Sequence, residues 1–83
     1  MLYYIYILYS RKVDRYYVGE TENIDNRLNA HLTGISTYTS MADDWKVVYS
    51  ESFGSRNAAI RREKEIKRKK SRKYIEYLMN RSS

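Results

Sequence analysis

Two runs of β-branched and aromatic residues, LYYIYILY at 2–9 and YYVGE at 16–20, flank a short polar stretch at 12–15. Such residues suit a pleated, half-buried surface and favour strands. With so few residues between them, the two strands are expected to pair as an antiparallel hairpin. In the first strand Tyr4 and Tyr6 then share one face and Ile5 and Ile7 the other, while Tyr17 and Gly19 share a face of the second. Gly19 weakens the strand that contains it. A bulge there, or the close approach of a backbone or ligand, would account for it.

The later elements follow from caps and periodicity. Thr21 or Asn23 can cap a helix over about 24–32, with Gly34 to stop it. Residues 35–44 read as a polar loop, and WKVVYSE at 45–51 as a third strand. Ser55 can cap a helix over about 56–69, and Ser71 a last helix over about 72–80. The order ββαβαα predicts an α+β fold, a small three-stranded mixed or antiparallel sheet flanked by helices. With 83 residues, no proline and three glycines, residues 1–83 are expected to form a single domain without linkers or low-complexity segments.

Charge narrows the choice of partners. Sixteen Lys and Arg stand against ten acids, a net charge of +6. Residues 61–73, RREKEIKRKKSRK, hold nine basic side chains and two acids. A surface of this kind attracts polyanions, nucleic acid first, and Lys67, Lys69, Lys70, Arg72 and Lys73 are the expected phosphate contacts. A solvated helix face would have the same composition. There is no cysteine and one histidine, which excludes disulfides, thiolate metal sites and a multi-histidine site within one chain. Carboxylates and water remain as ligands, which favours a hard ion. The apolar opening residues are too few to span a bilayer and no basic segment precedes them. They are expected to form a core strand of a cytoplasmic protein with no membrane partner.

Three polar side chains sit where they need explanation. Arg27 and His31 lie at i, i+4 on the first helix, beside the apolar stripe Ile24, Leu28 and Leu32. The planar fork of Arg matches two phosphate oxygens, and His titrates near neutrality. A surface pair without a role is the alternative. On the second helix Ala59, Ile60, Glu63 and Ile66 fall on one side, whereas Glu65 falls among the lysines. An inward carboxylate requires a partner, because its desolvation is costly. An Arg, a Tyr hydroxyl or a metal ion would serve. With one carboxylate such an ion would keep most of its water, as Mg²⁺ does.

In this order, YIYILYS (4–10), YYVGETENIDNRLNAH (16–31), WKVVYSE (45–51) and AIRREKEIK (59–67) resemble the GIY-YIG nuclease superfamily. More narrowly, the chain is similar to small stand-alone bacterial members that resemble the N-terminal nuclease domain of an excision-repair endonuclease subunit. The resemblance covers nearly the whole chain. Tyr4 stands where the family's first Gly usually lies, and Glu20 where several members carry Lys. The resemblance implies a catalytic group of Tyr6, Tyr17, Arg27 and His31, a backbone role for Gly19, and Glu63 as the ligand of one Mg²⁺ or Mn²⁺ ion. These residues are expected to converge on one concave surface of the sheet.

The implied activity is metal-dependent endonucleolytic hydrolysis of DNA, with a tyrosine base, Arg27 on the phosphate and DNA repair as the setting. An unperturbed tyrosine, with a pKa of about 10, is a weak base at neutral pH, so a nearby cation is expected to depress it. Whether Tyr6 or Tyr17 is the base stays open. So do the form of the DNA, branched or damaged forms included, and the oligomeric state, a homodimer being a simple route to paired nicks. No small-molecule cofactor is implied. A non-catalytic nucleic-acid-binding module that keeps the fold, and a structural domain that docks on another protein, are the alternatives.

Overall fold

A computed structural model of the chain describes residues 1–32, 42–69 and 71–81. The hairpin forms as the sequence pattern requires. Strand β1 (Tyr3–Ser10) pairs antiparallel with β2 (Arg15–Thr21) in a register that sets Tyr6 opposite Gly19 and Leu8 opposite Tyr17. Asp14 closes the turn in the left-handed region, at φ 53°, a conformation that Asp tolerates better than most residues. It accepts a hydrogen bond from the Tyr9 hydroxyl at 2.6 Å. Strand β3 (Lys46–Phe53) adds to the other side of β1, giving an all-antiparallel sheet of order β2-β1-β3. Asp44 ties the entry of β3 to the hairpin, accepting from the Ser10 hydroxyl at 2.6 Å and from the Lys12 backbone N–H at 3.0 Å.

Three helices complete the order ββαβαα: α1 (Ile24–Leu32), α2 (Arg56–Lys69) and α3 (Arg72–Arg81). Each has a side-chain cap on an otherwise unpaired backbone N–H. Asn23 Oδ1 accepts from Asn26 N at 3.1 Å, Ser55 Oγ from Ala58 N at 3.2 Å, and Ser71 Oγ from Tyr74 N at 3.2 Å. Thr21 supports the first cap by accepting from Asn23 N. The expected stop at Gly34, and most of the expected loop at 35–44, lie outside the described residues.

Alternation along β1 divides the core in two. Ile5 and Ile7 point to the face covered by α2 and α3, where they meet Val18, Ala59, Ile66 and Leu78. Tyr6 and Leu8 point to the opposite face with Trp45, under Ile24, Leu28 and Leu32 of α1. The central strand is therefore apolar on both faces, and Ile5 through Leu8 are all buried. In β3 the alternation fails at one point. A register shift between Ile7 and Leu8 leaves Val48 extra, since Tyr49 pairs with Ile7 and Val47 with Leu8. Val48 and Tyr49 consequently both pack on the α2–α3 side.

Candidate active site

The Tyr6 ring needs the absence of a side chain opposite it. A Cβ built on Gly19 would lie 2.5 Å from Tyr6 Oη and 2.6 Å from Cζ, far inside van der Waals contact. Gly19 is thus a place where Tyr6 closes on the neighbouring backbone, not a bulge, since the β1–β2 pairing is continuous through it. Laid across β2, Tyr6 is 1% exposed and its ring centroid is 6.3 Å from that of Tyr17.

Arg27, one turn into α1, reaches both rings. Its guanidinium hydrogen-bonds the hydroxyls of Tyr6 and Tyr17, and these contacts raise its pKa further. Burial acts on Tyr6 in the opposite sense to the expectation from sequence. The Tyr6 hydroxyl is pushed up to about 12 by desolvation, which outweighs the lowering effect of Arg27; Tyr17 and Glu63 raise it further. A neighbouring cation is present, as expected, but Tyr6 is not depressed. It remains a proton holder at neutral pH.

Glu63 enters from α2, on the other side of the sheet from α1. It is the more sheltered of the helix's two acids, its side chain 19% exposed against 44% for Glu65. Its carboxylate pairs with Lys67 Nζ at 2.7 Å, and its charge is felt at Tyr6. Lys67 also lies over the Tyr17 ring, 6.0 Å from the centroid. Tyr6 and Tyr17 pack on the α1 side of the sheet, and α2 links to them through the charge of Glu63 at Tyr6 and the contact of Lys67 with the Tyr17 ring. His31 lies on α1 one turn beyond Arg27, and its side chain is outside the described residues.

A cavity of about 400 Å³ opens beside Arg27, lined by Glu20, Thr21, Asn23, Asn26 and Arg56 among others. Arg56 closes one side by pairing with Glu20 at 3.1 Å and with Glu22. Glu20, which stands where the resemblance leads one to look for a lysine, is therefore neutralised by an arginine from α2.

Fit to a metal rests on Glu63. Among the described residues no group of three or more His, Cys, Asp or Glu side chains comes together. A hydrated hard ion suits a single carboxylate, whereas a transition-metal cage does not. That carboxylate is paired with the Lys67 ammonium at 2.7 Å.

The expected phosphate contacts are more engaged than the charge count implies. Lys67 is held by Glu63. Arg72 pairs with Asp14 and lies over the Tyr16 ring at 5.2 Å. Lys69 lies 5.2 Å from the centroid of Tyr74, Lys73 is exposed, and Lys70 lies outside the described residues. Helical spacing puts Arg61, Lys64 and Arg68 on one open face of α2. None of these three forms an ion pair with another described residue, and they escaped the sequence reading because only helix phase separates them from their neighbours.

A second polar cluster was also missed. Arg62, 18% exposed, forks onto Glu51, 25% exposed, with Nε and Nη2 3.1–3.3 Å from its carboxylate oxygens. It also donates to the Tyr74 hydroxyl at 2.9 Å, tying β3, α2 and α3 together away from the Tyr6–Arg27 cluster. The spacing of Glu63 and Lys67, i to i+4, was a legible signal for their pairing.

Comparison with known proteins supplies the family. The model of the GIY-YIG catalytic domain matches residues 2–75. A UPF0213 protein of Staphylococcus haemolyticus is 38% identical over 66 residues, which cover 78% of this chain and 79% of that protein. A UPF0213 protein of Streptococcus pneumoniae is 34% identical over 76 residues, 90% of this chain and 76% of the relative. The solution NMR structure of a UPF0213 protein from Bacillus halodurans superposes with a TM-score of 0.59 at 32% identity, covering 96% of this chain and 84% of that one. With a catalytic-domain match over most of its length, and relatives this similar along most of theirs, the chain belongs to the GIY-YIG nuclease family.

Proposed function

We propose that the chain is a divalent-metal-dependent endonuclease that hydrolyses DNA phosphodiester bonds at the edge of β2. The observation that carries this reading is the hydrogen bonding of Arg27 to the hydroxyls of both Tyr6 and Tyr17, within reach of the field of Glu63. A planar cation held between two hydroxyls suits a phosphate whose negative charge grows as a water attacks. Glu63 would hold Mg²⁺ or Mn²⁺, which when bound supplies Lewis-acid charge at the phosphate.

The chain's own groups divide the remaining work. Arg27 orients the phosphate through its fork and offsets the developing charge. Tyr6, buried and protonated at neutral pH, fixes the guanidinium by accepting from it at its hydroxyl oxygen. Tyr17 is half-exposed, open to water and flanked by Arg27 and Lys67. In this reading Tyr17 takes the proton of the attacking water, with His31 as the relay. The basic face of α2 supplies sequence-independent affinity for the backbone.

The test is cleavage of plasmid, branched and single-stranded DNA in Mg²⁺ or Mn²⁺, run beside DNA binding and melting for Arg27→Ala and Glu63→Gln. Both variants are expected to bind DNA and melt as the parent does while failing to cut. If the parent never cuts yet binds DNA with a steep salt dependence, the fold serves as a binding module. The raised Tyr6 and the lysine on Glu63 are the observations that favour that second reading.

A further inference from the structure

We propose that Lys67 is a placeholder cation: its ammonium holds the Glu63 carboxylate in the position a divalent ion requires, and the ion must displace it to bind. This inference rests on the reading of Glu63 as the ion's ligand. Three observations carry it. Lys67 Nζ is 2.7 Å from Glu63 Oε2, a direct charge-assisted contact. The pair is asymmetric, with the carboxylate side chain 19% exposed and the lysine 51%, so the lysine can leave into solvent while the carboxylate stays. And the lysine has somewhere to go, because Lys67 also lines a cavity of about 340 Å³ with Tyr16, Tyr17 and Val18 along the edge of β2.

The physical consequence follows from charge. A carboxylate half out of water needs compensation in the absence of an ion, and Lys67 provides it from one turn along the same helix. An arriving divalent ion competes with that ion pair and is also repelled by the ammonium until it moves. Affinity for the ion alone is therefore kept low. Once displaced, the ammonium faces the groove beside Tyr17, where a DNA phosphate can take it. Lys67 is on this account a positioning residue that acts through Glu63.

The experiment is titration of Mn²⁺ into the full chain without DNA, read by paramagnetic broadening of NMR signals around Glu63, for the parent, Lys67→Met, Lys67→Arg, Arg68→Met and Glu63→Gln. Lys67→Met should tighten Mn²⁺ by about twofold from loss of an i,i+4 ion pair, and up to about tenfold once the repulsion is gone as well. Lys67→Arg should stay near the parent. Arg68→Met removes the same charge from the open face of α2 and should shift affinity much less. Equal tightening in Lys67→Met and Arg68→Met, or no tightening in Lys67→Met, overturns the placeholder while leaving Glu63 as the ligand. Broadening that persists undiminished in Glu63→Gln overturns both, because the ion then binds elsewhere.

Discussion

Gly19→Ala is the sharpest perturbation of this fold, because one methyl group is aimed at one ring. The added Cβ would stand 2.5 Å from Tyr6 Oη and 2.6 Å from Cζ, where ordinary carbon contacts begin at roughly 3.5 Å. Tyr6 cannot swing aside freely, since it is 1% exposed and packed with Leu8 and Trp45 under α1. Overpacking of this kind costs about 1–3 kcal/mol. Replacing a strand glycine returns roughly 0.5–1 kcal/mol of backbone entropy. The net loss is about 0–2.5 kcal/mol, a fall in Tm of roughly 4–8 °C for each kcal/mol in a domain of this length. Urea unfolding of the parent, Gly19→Ala, Tyr6→Leu and the double variant checks the cause as well as the size. Leucine lacks the colliding Cζ and Oη, so Gly19→Ala should become neutral or slightly stabilising in that background, a coupling of about 1–3 kcal/mol. Additive losses would refute the account of why glycine stands there.

Other perturbations separate stability from chemistry. Arg62→Met strands Glu51 and the Tyr74 hydroxyl and should cost roughly 1–3 kcal/mol, below the full penalty of a buried pair because both partners keep some solvent; urea midpoints read it, and metal-dependent cleavage should survive in the folded fraction. Ser55→Ala and Asn23→Ala should each lower stability by about 1 kcal/mol through loss of a helix cap, measured the same way. Tyr6 is raised from 10.0 to about 12 in the folded chain, so the unfolded chain loses that proton first as pH rises. The stability it contributes is whole below pH 10 and falls by roughly 2–3 kcal/mol as pH climbs to 12. The gap between the parent and Tyr6→Phe in alkaline unfolding should narrow by that amount, and a constant gap would contradict it. Arg27→Lys should restore little of the cleavage lost in Arg27→Ala, because a point charge cannot reproduce a two-pronged contact; a Lys variant that cuts at the parental rate would remove the fork from the mechanism.

Local chemistry by itself determined most of the scaffold. The β-branched and aromatic runs with a short polar turn between them left the hairpin as the simple solution, and Ser55 and Ser71 marked helix starts because a hydroxyl there satisfies an N–H that has no partner within the helix. At the first helix two candidates, Thr21 and Asn23, stood two residues apart, and geometry chose Asn23 as the cap with Thr21 behind it. Period alone also told Glu63 from Glu65, since helix phase follows from spacing.

What sequence could not decide is whatever depends on distance between elements. That Gly19 makes room for Tyr6, and not for a ligand or a bulge, needs the register that pairs the two residues. That Arg62 is bound to Glu51 needs β3 laid beside α2. The bulge at Val48 is a property of the pairing with β1 and leaves no mark in composition. The same holds for electrostatics. A basic neighbour beside a tyrosine suggests a lowered pKa, but the sign at Tyr6 is decided by how much water the fold removes from it, and burial under α1 outweighs the arginine. Residue types and spacing fix which groups are available and which way each faces; only packing sets Arg27 against the two tyrosine hydroxyls and brings the charge of Glu63 to bear on Tyr6.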